Sequence, residues 1–256
     1  RDESTGLFGR VKGIRPDDIF EVQKRNFALA LSCGMGLIWT DPESQGWLNI
    51  PDQWKQFARL KTLYADYQDK ELQGQTPESP ATLTVVVDER ANFCLASGDR
   101  INNALLLKGR EMALRAGVST RFHLLKDVVD GVAPPSPVYL FLNPFVITEE
   151  ERNLLHARLA GEEACAIWLY APGYFGAESG MEGMSRLVGM DIQPFKEPAS
   201  GESVYILSGL YMPPDQPFGS KTLWNPLFFI PPHDDLDLLA HYTSDKDKGS
   251  IAIRTF

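Results

Sequence analysis

The chain has 256 residues, of which 43% are hydrophobic, enough to bury a core as one large domain or two smaller ones. Acidic residues outnumber basic ones by 34 to 25, which gives a formal charge of −9, and no lysine- and arginine-rich run is present that would follow a phosphate backbone. The composition therefore argues against nucleic acid and against an anionic membrane surface as partners.

Residues 1–67 are predicted to form a helix, a strand and a second helix. Asp18 and Glu21 have the spacing of a capping box, which predicts a helix from there to about Ser32. The apolar segment 35–41, MGLIWTD, is typical of a buried strand, and Pro51 is suited to the first position of another helix. This length fits one or two units of an α/β barrel and is too short for a whole barrel.

Residues 68–81 are polar and contain Gly and Pro, which predicts a linker. From 82 to 256 we expect a second domain, in which strands alternate with helices. Strands are predicted at 82–87, 120–125, 137–143 and 164–170, with helices over 101–117 and from the capping box of Thr148 and Glu151 to Gly161. The tail from Met190 onward has short apolar runs that predict strands added at the edge of this domain.

The alternation of strands and helices predicts the fold class. Connections of a dozen or more residues favour parallel pairing by right-handed crossovers, with helices on both faces of the sheet. We therefore expect an α/β fold with a flavodoxin-like open sheet, preceded by the helix–strand–helix segment.

The carboxyl ends of the predicted parallel strands are the expected place for chemistry, and Asp88, Asn143–Pro144 and Ala171–Gly173 should lie near one another there. A nucleophile elbow needs Ser, Cys or Asp on a strained turn after the strand. The turn here carries Ala171 and Pro172, which cannot attack a substrate. The neighbouring Tyr170 is a poor nucleophile at neutral pH, and we expect its hydroxyl to bond to the backbone.

Two further stretches contain candidate site residues. His233 beside Asp234 and Asp235 offers a base with an orienting carboxylate, which leaves a hydrolase as a weaker alternative, although no nucleophile accompanies it. Trp39 and Asp41 end the predicted strand of the first segment and Trp47 follows in a polar loop. Aromatic rings beside a carboxylate suit the apolar faces and hydroxyls of sugars. The alternative is that the two tryptophans pack between the two domains.

The remaining features of the sequence argue against several kinds of site and segment. Cys33, Cys94 and Cys165 are too scattered for a disulfide framework or a zinc site, so the sequence predicts no metal ion and no cofactor. No apolar run reaches the length of a membrane span, and no secretion signal is present, which favours a soluble, cytoplasmic protein. Because the sequence begins with Arg1 in a polar stretch, we expect it to be part of a longer protein.

Several phrases in the sequence resemble a known family. VVVDERANFCLASGDRINNALLLKGREMALRAG, YLFLNPFVITEEERNLL and AIWLYAPGYF are similar to the glutamine-amidotransferase-like, trimerisation-type domain of β-galactosidase-type glycoside hydrolases of family 42. Residues 18–65, with VQKRNFALALSCGMGLIWTD and GWLNIPDQWKQFARLKTLY, resemble the last βα unit of the preceding (β/α)₈ barrel in those hydrolases. Together the two resemblances cover most of the chain, without a catalytic signature.

The chain departs from the family's chemistry at two points. Working amidotransferases carry Gly-x-Cys-x-Gly at the elbow, where this chain reads Leu169-Tyr170-Ala171-Pro172-Gly173, so glutamine hydrolysis is excluded. Retaining glycosidases need two carboxylates about 5 Å apart. In the family these come from earlier barrel strands, and Asp41 alone does not replace them.

The resemblance implies the C-terminal portion of a glycoside hydrolase-like protein. It would combine the last barrel unit, with Trp39, Asp41 and Trp47 near a sugar, and a degenerate amidotransferase-like domain used for assembly. The expected partners are a carbohydrate and either further copies of the chain or the upstream barrel, and the chain alone should be inactive. The alternative function is a stand-alone binding or oligomerisation module without catalysis.

Overall fold

In a computed structural model the chain divides between Pro80 and Ala81 into two compact units, which are described separately. The structure describes residues 16–32, 36–40, 48–73, 81–96, 100–176, 180–206 and 216–255. Within these ranges no helix is long and apolar enough to cross a membrane.

The first unit contains helices α1 (Pro16–Ser32) and α2 (Pro51–Leu72). Helix α1 begins two residues before Asp18, so the capping box predicted at Asp18 and Glu21 is wrong: Asp18 lies inside the helix. A proline fits the first position of a helix because the N–H that it lacks would have no helical partner there. This explains why α1 begins at Pro16, before Asp18. Helix α2 ends at Leu72, so it extends five residues into the segment 68–81 that is predicted to be a linker.

The strand predicted at 35–41 is not observed in its described part. Residues 36–40 have no regular secondary structure, and Leu37 and Ile38 are exposed, Ile38 by 84%. An apolar run forms a strand only where a neighbouring strand takes up its backbone hydrogen bonds, and none of the described residues of this unit is in a strand. The helix–strand–helix prediction is thus corrected to two helices joined by irregular chain over the part that is described.

The second unit is built on a four-stranded parallel sheet, which confirms the α/β prediction. Its strands are β1 (Leu83–Val87), β2 (Thr120–Leu124), β3 (Val138–Phe141) and β5 (Cys165–Trp168), arranged in the order β2-β1-β3-β5. The strand β4 (Val146–Ile147) lies outside this sheet and pairs in parallel with β6 (Phe175–Gly176).

Helices cover both faces of the sheet, as predicted. On one face, α4 (Leu125–Val129), α5 (Glu149–Gly161) and α6 (Met181–Val188) contribute apolar side chains that pack with the buried rings of Tyr139 and Phe141. The other face is covered by a helix whose first part, Asn103–Lys108, is π-helical and whose second part is α3 (Gly109–Arg115). A short 3₁₀ helix, Glu89–Cys94, follows β1.

Helix α5 begins where the sequence predicted. Thr148 Oγ1 accepts a hydrogen bond from the Glu151 N–H at 3.2 Å, and Glu151 Oε2 accepts one from the Thr148 N–H at 2.9 Å. This reciprocal pair is the capping box expected at these two residues.

The C-terminal part of the second unit consists of short strands, as predicted from its apolar runs. A three-stranded antiparallel sheet has the order β13-β12-β9, and two small antiparallel pairs, β10 with β8 and β11 with β7, lie beside it. The strands are β7 (Gln193–Pro194), β8 (Ala199–Ser200), β9 (Ser203–Tyr205), β10 (Leu223–Trp224), β11 (Phe228–Phe229), β12 (Asp237–Tyr242) and β13 (Asp245–Ile253).

Tyr242 joins two of these elements. Its ring is buried against Phe195 at a centroid distance of 5.1 Å, and its hydroxyl donates to the Phe228 carbonyl at 2.8 Å. Burial, with a smaller contribution from Tyr170, raises the pKa of the Tyr242 phenol to about 12.

The raised pKa predicts a loss of stability in alkali. The folded state holds the Tyr242 proton more tightly than the unfolded chain, so this stabilisation is complete below pH 10 and is lost as the pH rises to about 12. Between those values the wild type should lose about 2–3 kcal/mol more unfolding free energy than Tyr242→Phe. Urea titrations of both proteins at several alkaline pH values measure this, and parallel loss in both would contradict it.

Candidate functional site

The carboxyl ends of β1, β3 and β5 lie side by side, and the three turns predicted to meet there do meet. Asp88 follows β1, Asn143–Pro144 follows β3, and Ala171–Gly173 follows β5. Asp88 is hydrogen bonded to Asn143, and the Gly173 N–H donates to the Pro144 carbonyl at 2.8 Å. This edge is where α/β proteins usually bind their ligands.

The Asn143 side chain occupies the central position of this edge. Its Oδ1 accepts from the Asp88 N–H at 2.9 Å, and its Nδ2 donates to the Asp88 carbonyl at 2.8 Å. Asn143 is fully buried. Because β2 pairs on one side of β1 and β3 on the other, the chain reverses its direction of strand addition here, and open sheets leave a ligand crevice at such a point. In this protein the Asn143 amide joins the two strand ends at that point.

A charged network lies beside the asparagine. The Asp88 carboxylate, which is 3% exposed, accepts hydrogen bonds from Arg90 Nε at 3.0 Å and Nη2 at 3.2 Å. Arg90 Nη1 donates to Glu151 Oε1 at 2.8 Å, and Nη2 also donates to the Val146 carbonyl at 3.0 Å. One guanidinium therefore links the end of β1 to the beginning of α5.

The negative charges of Asp88 and Glu151 favour the protonated form of Arg90. Burial alone would lower the pKa of Arg90, but the hydrogen bonds and negative charges of Asp88 and Glu151 raise it above the ordinary value. The same residues, with Lys126, line a cavity of about 70 Å³ at the ends of β1 and β2. Ligand pockets for drug-sized molecules usually measure about 300–1,000 Å³, so this cavity is small by comparison.

The turn after β5 has the strained backbone of an elbow without its chemistry. Tyr170 adopts a left-handed conformation with φ of 64°, one residue before the position where the sequence placed the elbow's centre. Its hydroxyl donates to the Pro226 carbonyl at 2.6 Å, as expected of a tyrosine anchored on backbone. Gly173 also has a positive φ, 71°, and a Cβ there would lie 3.2 Å from the Gly183 carbonyl oxygen.

An elbow also requires a helix directly after the strand. Here β6 follows the turn, and α6 begins only at Met181. Ala171, in the place of a nucleophile, is 6% exposed. None of the residues 169–176 is a serine, cysteine or aspartate, so the described part of this turn holds no elbow nucleophile.

His233 lies on the surface of the second unit. Its ring pairs with Asp235, whose other carboxylate oxygen is 3.2 Å from Arg254 Nη2. Partial desolvation alone would raise the pKa of Asp235, but His233 and Arg254 hold it below its ordinary value. The group of His233, Asp235 and Arg254 is an exposed ion-pair cluster, since the His233 side chain is 69% exposed.

Trp39 lies in an aromatic groove of the first unit. Its ring stacks on Phe57 with centroids 4.5 Å apart, and Trp54 meets Phe57 edge-on at 5.7 Å. The indole N–H of Trp54 donates to the Leu48 carbonyl at 2.7 Å. The groove measures about 580 Å³, and its lining side chains come from α1, α2 and the chain between them. Asp41 and Trp47, the other two predicted sugar-binding residues, lie outside the described residues.

Two buried glutamines of the first unit were missed by the sequence analysis. Gln23 is 3% exposed and Gln53 is 4% exposed, and their Oε1 atoms have no hydrogen-bond partner within the part of the chain that is described. Each lies four residues before a groove residue, Phe27 and Phe57, and so on the same side of its helix. That four-residue spacing is the sequence feature that could have identified the two glutamines. Burying an unpaired amide oxygen is costly, about 1–3 kcal/mol.

The sequence analysis also missed the roles of Arg90 and Glu151. Glu151 was interpreted only as the helix cap, and its second oxygen is the one that binds Arg90. Across the described ranges, no cluster of three or more His, Cys, Asp or Glu side chains is arranged to hold a metal ion.

Comparison with known proteins identifies no family. No protein-family model matches the chain, and no curated protein matches it. Among solved structures it is similar to the β-galactosidase from Bifidobacterium adolescentis, with a TM-score of 0.38 and 12% identity over 67% of this chain and 83% of that chain. A likeness at this level assigns neither fold nor function.

The paired hydrogen bonds of Asn143 predict a large effect of its removal. Asn143→Ala leaves the buried N–H and carbonyl of Asp88 without their partner, which should lower the free energy of unfolding by about 2–4 kcal/mol. Asn153→Ala, on an exposed position of α5, is the matched control and should change it by less than about 0.5 kcal/mol. Urea denaturation followed by circular dichroism measures both, and equal effects would contradict this role of Asn143.

Proposed function

We propose that this chain is the C-terminal portion of a carbohydrate-active, glycoside hydrolase-like protein. In this proposal residues 82–256 form a degenerate, non-catalytic amidotransferase-like domain that serves assembly. Residues 1–67 correspond to the last unit of a (β/α)₈ barrel, although no strand is formed over residues 36–40, and they complete a sugar site. The proposal rests on the resemblance of the sequence phrases and on the geometry of the sheet edge.

The strand order supports a flavodoxin-like assignment for the second unit. In that fold, strands are added on one side of β1 and then on the other, as in the order β2-β1-β3-β5. Amidotransferase-like domains use the edge at the carboxyl ends of these strands for chemistry, so the residues at this edge bear on whether catalysis is retained.

The observation that carries the proposal is that this edge is filled by the chain's own groups. The Asn143 amide is hydrogen bonded to the backbone of Asp88, and the Tyr170 hydroxyl donates to the Pro226 carbonyl. Ala171 is buried at the position of an elbow nucleophile. Such an edge has lost both the reactive group and the room for a substrate. A scaffold inherited from an enzyme and retained for assembly accounts for both losses.

The first unit supports the barrel part of the proposal. Its two helices leave an aromatic groove open, and buried amide oxygens of Gln23 and Gln53 have no partner in the described part of the chain. Two helices bury little apolar surface by themselves. Packing against the other units of a barrel would cover the helix faces of the groove and supply polar partners, and Trp39, with Asp41 and Trp47, would then stay exposed at the sugar-binding end.

A stand-alone binding module is the second candidate, and the volume of the groove favours it. About 580 Å³ is within the usual range for small-molecule pockets, and Trp39, Trp54 and Phe57 offer flat apolar surfaces. In that case the first unit binds a ligand without any barrel. The two candidates agree that the chain alone performs no catalysis.

One experiment with two readouts tests the proposal. Purified chain is mixed with 4-nitrophenyl β-galactoside and the release of nitrophenol is measured, together with heat of binding for methyl β-galactoside. We expect no turnover above buffer, because the two carboxylates of a glycosidase are not supplied. Measurable affinity for methyl β-galactoside by the chain alone would favour the stand-alone module.

Substitutions separate a real sugar site from incidental effects. If methyl β-galactoside binds, Trp39→Ala should weaken it about tenfold, a loss of about 1.4 kcal/mol, through removal of the stacking surface. Trp224→Phe, in the second unit, is the control and should leave the affinity unchanged. Turnover by the wild-type chain that disappears in Asp41→Asn would contradict the non-catalytic proposal.

A further inference from the structure

The aromatic groove of the first unit extends along one side of α2. Four of its lining residues recur there at intervals of three and four positions: Trp54, Phe57, Lys61 and Tyr64. A helix rises about 1.5 Å per residue, so the lined side of α2 is about 15 Å long from the first of these residues to the last. That length exceeds the width of a single sugar ring.

The two ends of the groove differ in chemistry. At the beginning of α2, Trp39 and Trp54 both contact the ring of Phe57 and offer flat apolar surfaces. Further along the helix, Tyr64 brings a hydroxyl, and Lys61 alone carries a charge among the described residues that line the groove. The groove therefore has an aromatic end and a polar end.

The rings at the aromatic end are held in fixed orientations. Trp54 is 57% exposed, yet its indole N–H donates to the Leu48 carbonyl at 2.7 Å and its ring meets Phe57 edge-on. Trp39 is stacked on the same phenyl ring. Side chains that are already ordered lose little conformational freedom when a ligand binds. The aromatic end is thus a preformed surface for the apolar face of one ring.

The polar end offers hydrogen-bond donors. The Tyr64 hydroxyl oxygen accepts from Gln68 Nε2 at 3.1 Å, so its own O–H can donate to a ligand. The exposed Lys61 ammonium has three N–H donors. A purely apolar ligand would use only the aromatic end, whereas a ligand with several hydroxyl oxygens along its length would use both ends.

We propose that the aromatic groove binds at least two linked sugar rings, the first on Trp39 at the aromatic end and the second beside Lys61 and Tyr64. The inference rests on the stand-alone binding function described above and names the class of ligand for the same groove. The apolar C–H face of the first ring matches the indole surface. The hydroxyl oxygens of the second ring accept from the tyrosine and the lysine.

The test uses the complete chain and two ligands that differ by one ring. Lactose carries a second sugar ring where methyl β-galactoside has its methyl group. Their affinities are measured from the heat of binding. We expect lactose to bind about tenfold more tightly, because its second ring adds hydrogen bonds at the polar end. This comparison needs no variant, so it does not depend on whether a substitution is tolerated.

A double variant locates the second ring. Lys61→Met with Tyr64→Phe removes both donors and keeps side chains of similar size, so lactose should bind about tenfold more weakly, as weakly as methyl β-galactoside. The affinity for methyl β-galactoside should not change. Lys55→Met with Tyr67→Phe makes the same two exchanges on α2 outside the lining of the groove and should leave both affinities at their wild-type values.

Decanoate serves as a competing class of ligand. It combines an apolar chain with a carboxylate, which would also suit the aromatic end and Lys61. Tighter binding of decanoate than of lactose would contradict a sugar as the occupant of the groove.

The outcomes separate this inference from the binding function on which it rests. Equal affinities of the wild type for the two sugars, or an equal loss of both in the Lys61 and Tyr64 double variant, overturns the two-ring site and leaves a single-ring site standing. Binding of neither sugar overturns the two-ring site together with the stand-alone function. The proposal of a barrel-completed sugar site is unaffected by that result.

Discussion

The double hydrogen bond between the Asn143 side chain and the backbone of Asp88 is the interaction on which the second unit depends. It joins the ends of two neighbouring parallel strands at the place where an open sheet would otherwise leave a crevice. With Asp88 fixed, its carboxylate caps the 3₁₀ helix that follows and holds Arg90, which in turn reaches Glu151 at the beginning of α5. The cavity beside these contacts measures about 70 Å³, which is small for a ligand pocket.

The turn after β5 shows the same commitment of side chains to the fold. The strained residue after β5 is Tyr170, whose hydroxyl is committed to a backbone carbonyl, and Ala171 beside it is buried. Strain at a turn is often stored for catalysis, but here it positions an aromatic side chain against Phe145 and Phe228. The functions proposed for this chain lie away from this edge, and one of them uses the aromatic groove of the first unit.

The features that the sequence predicted correctly are local or periodic. The parallel strands were visible as short apolar runs ending at polar or turn residues, and the α5 cap as Thr148 with Glu151 three residues later. The strand expected at 35–41 was wrong over 36–40, because a strand needs a partner that its own residues do not reveal. The bonds of Arg90 to Glu151 and of Asn143 to Asp88 join residues 61 and 55 positions apart, so no local pattern encodes them. Of the three residues predicted to bind a sugar, the structure describes Trp39 but not Asp41 or Trp47.

The central claim is that the crevice at the end of β1 and β3 is closed by Asn143, and hydrogen exchange at the Asp88 amide tests it most directly. If the claim is correct, the Asp88 N–H exchanges only when the whole unit unfolds, with the same protection as the amides of β1, as followed by NMR in deuterated water. Rapid exchange at Asp88, beside a protected β1, would show that the crevice opens to solvent and would contradict the account.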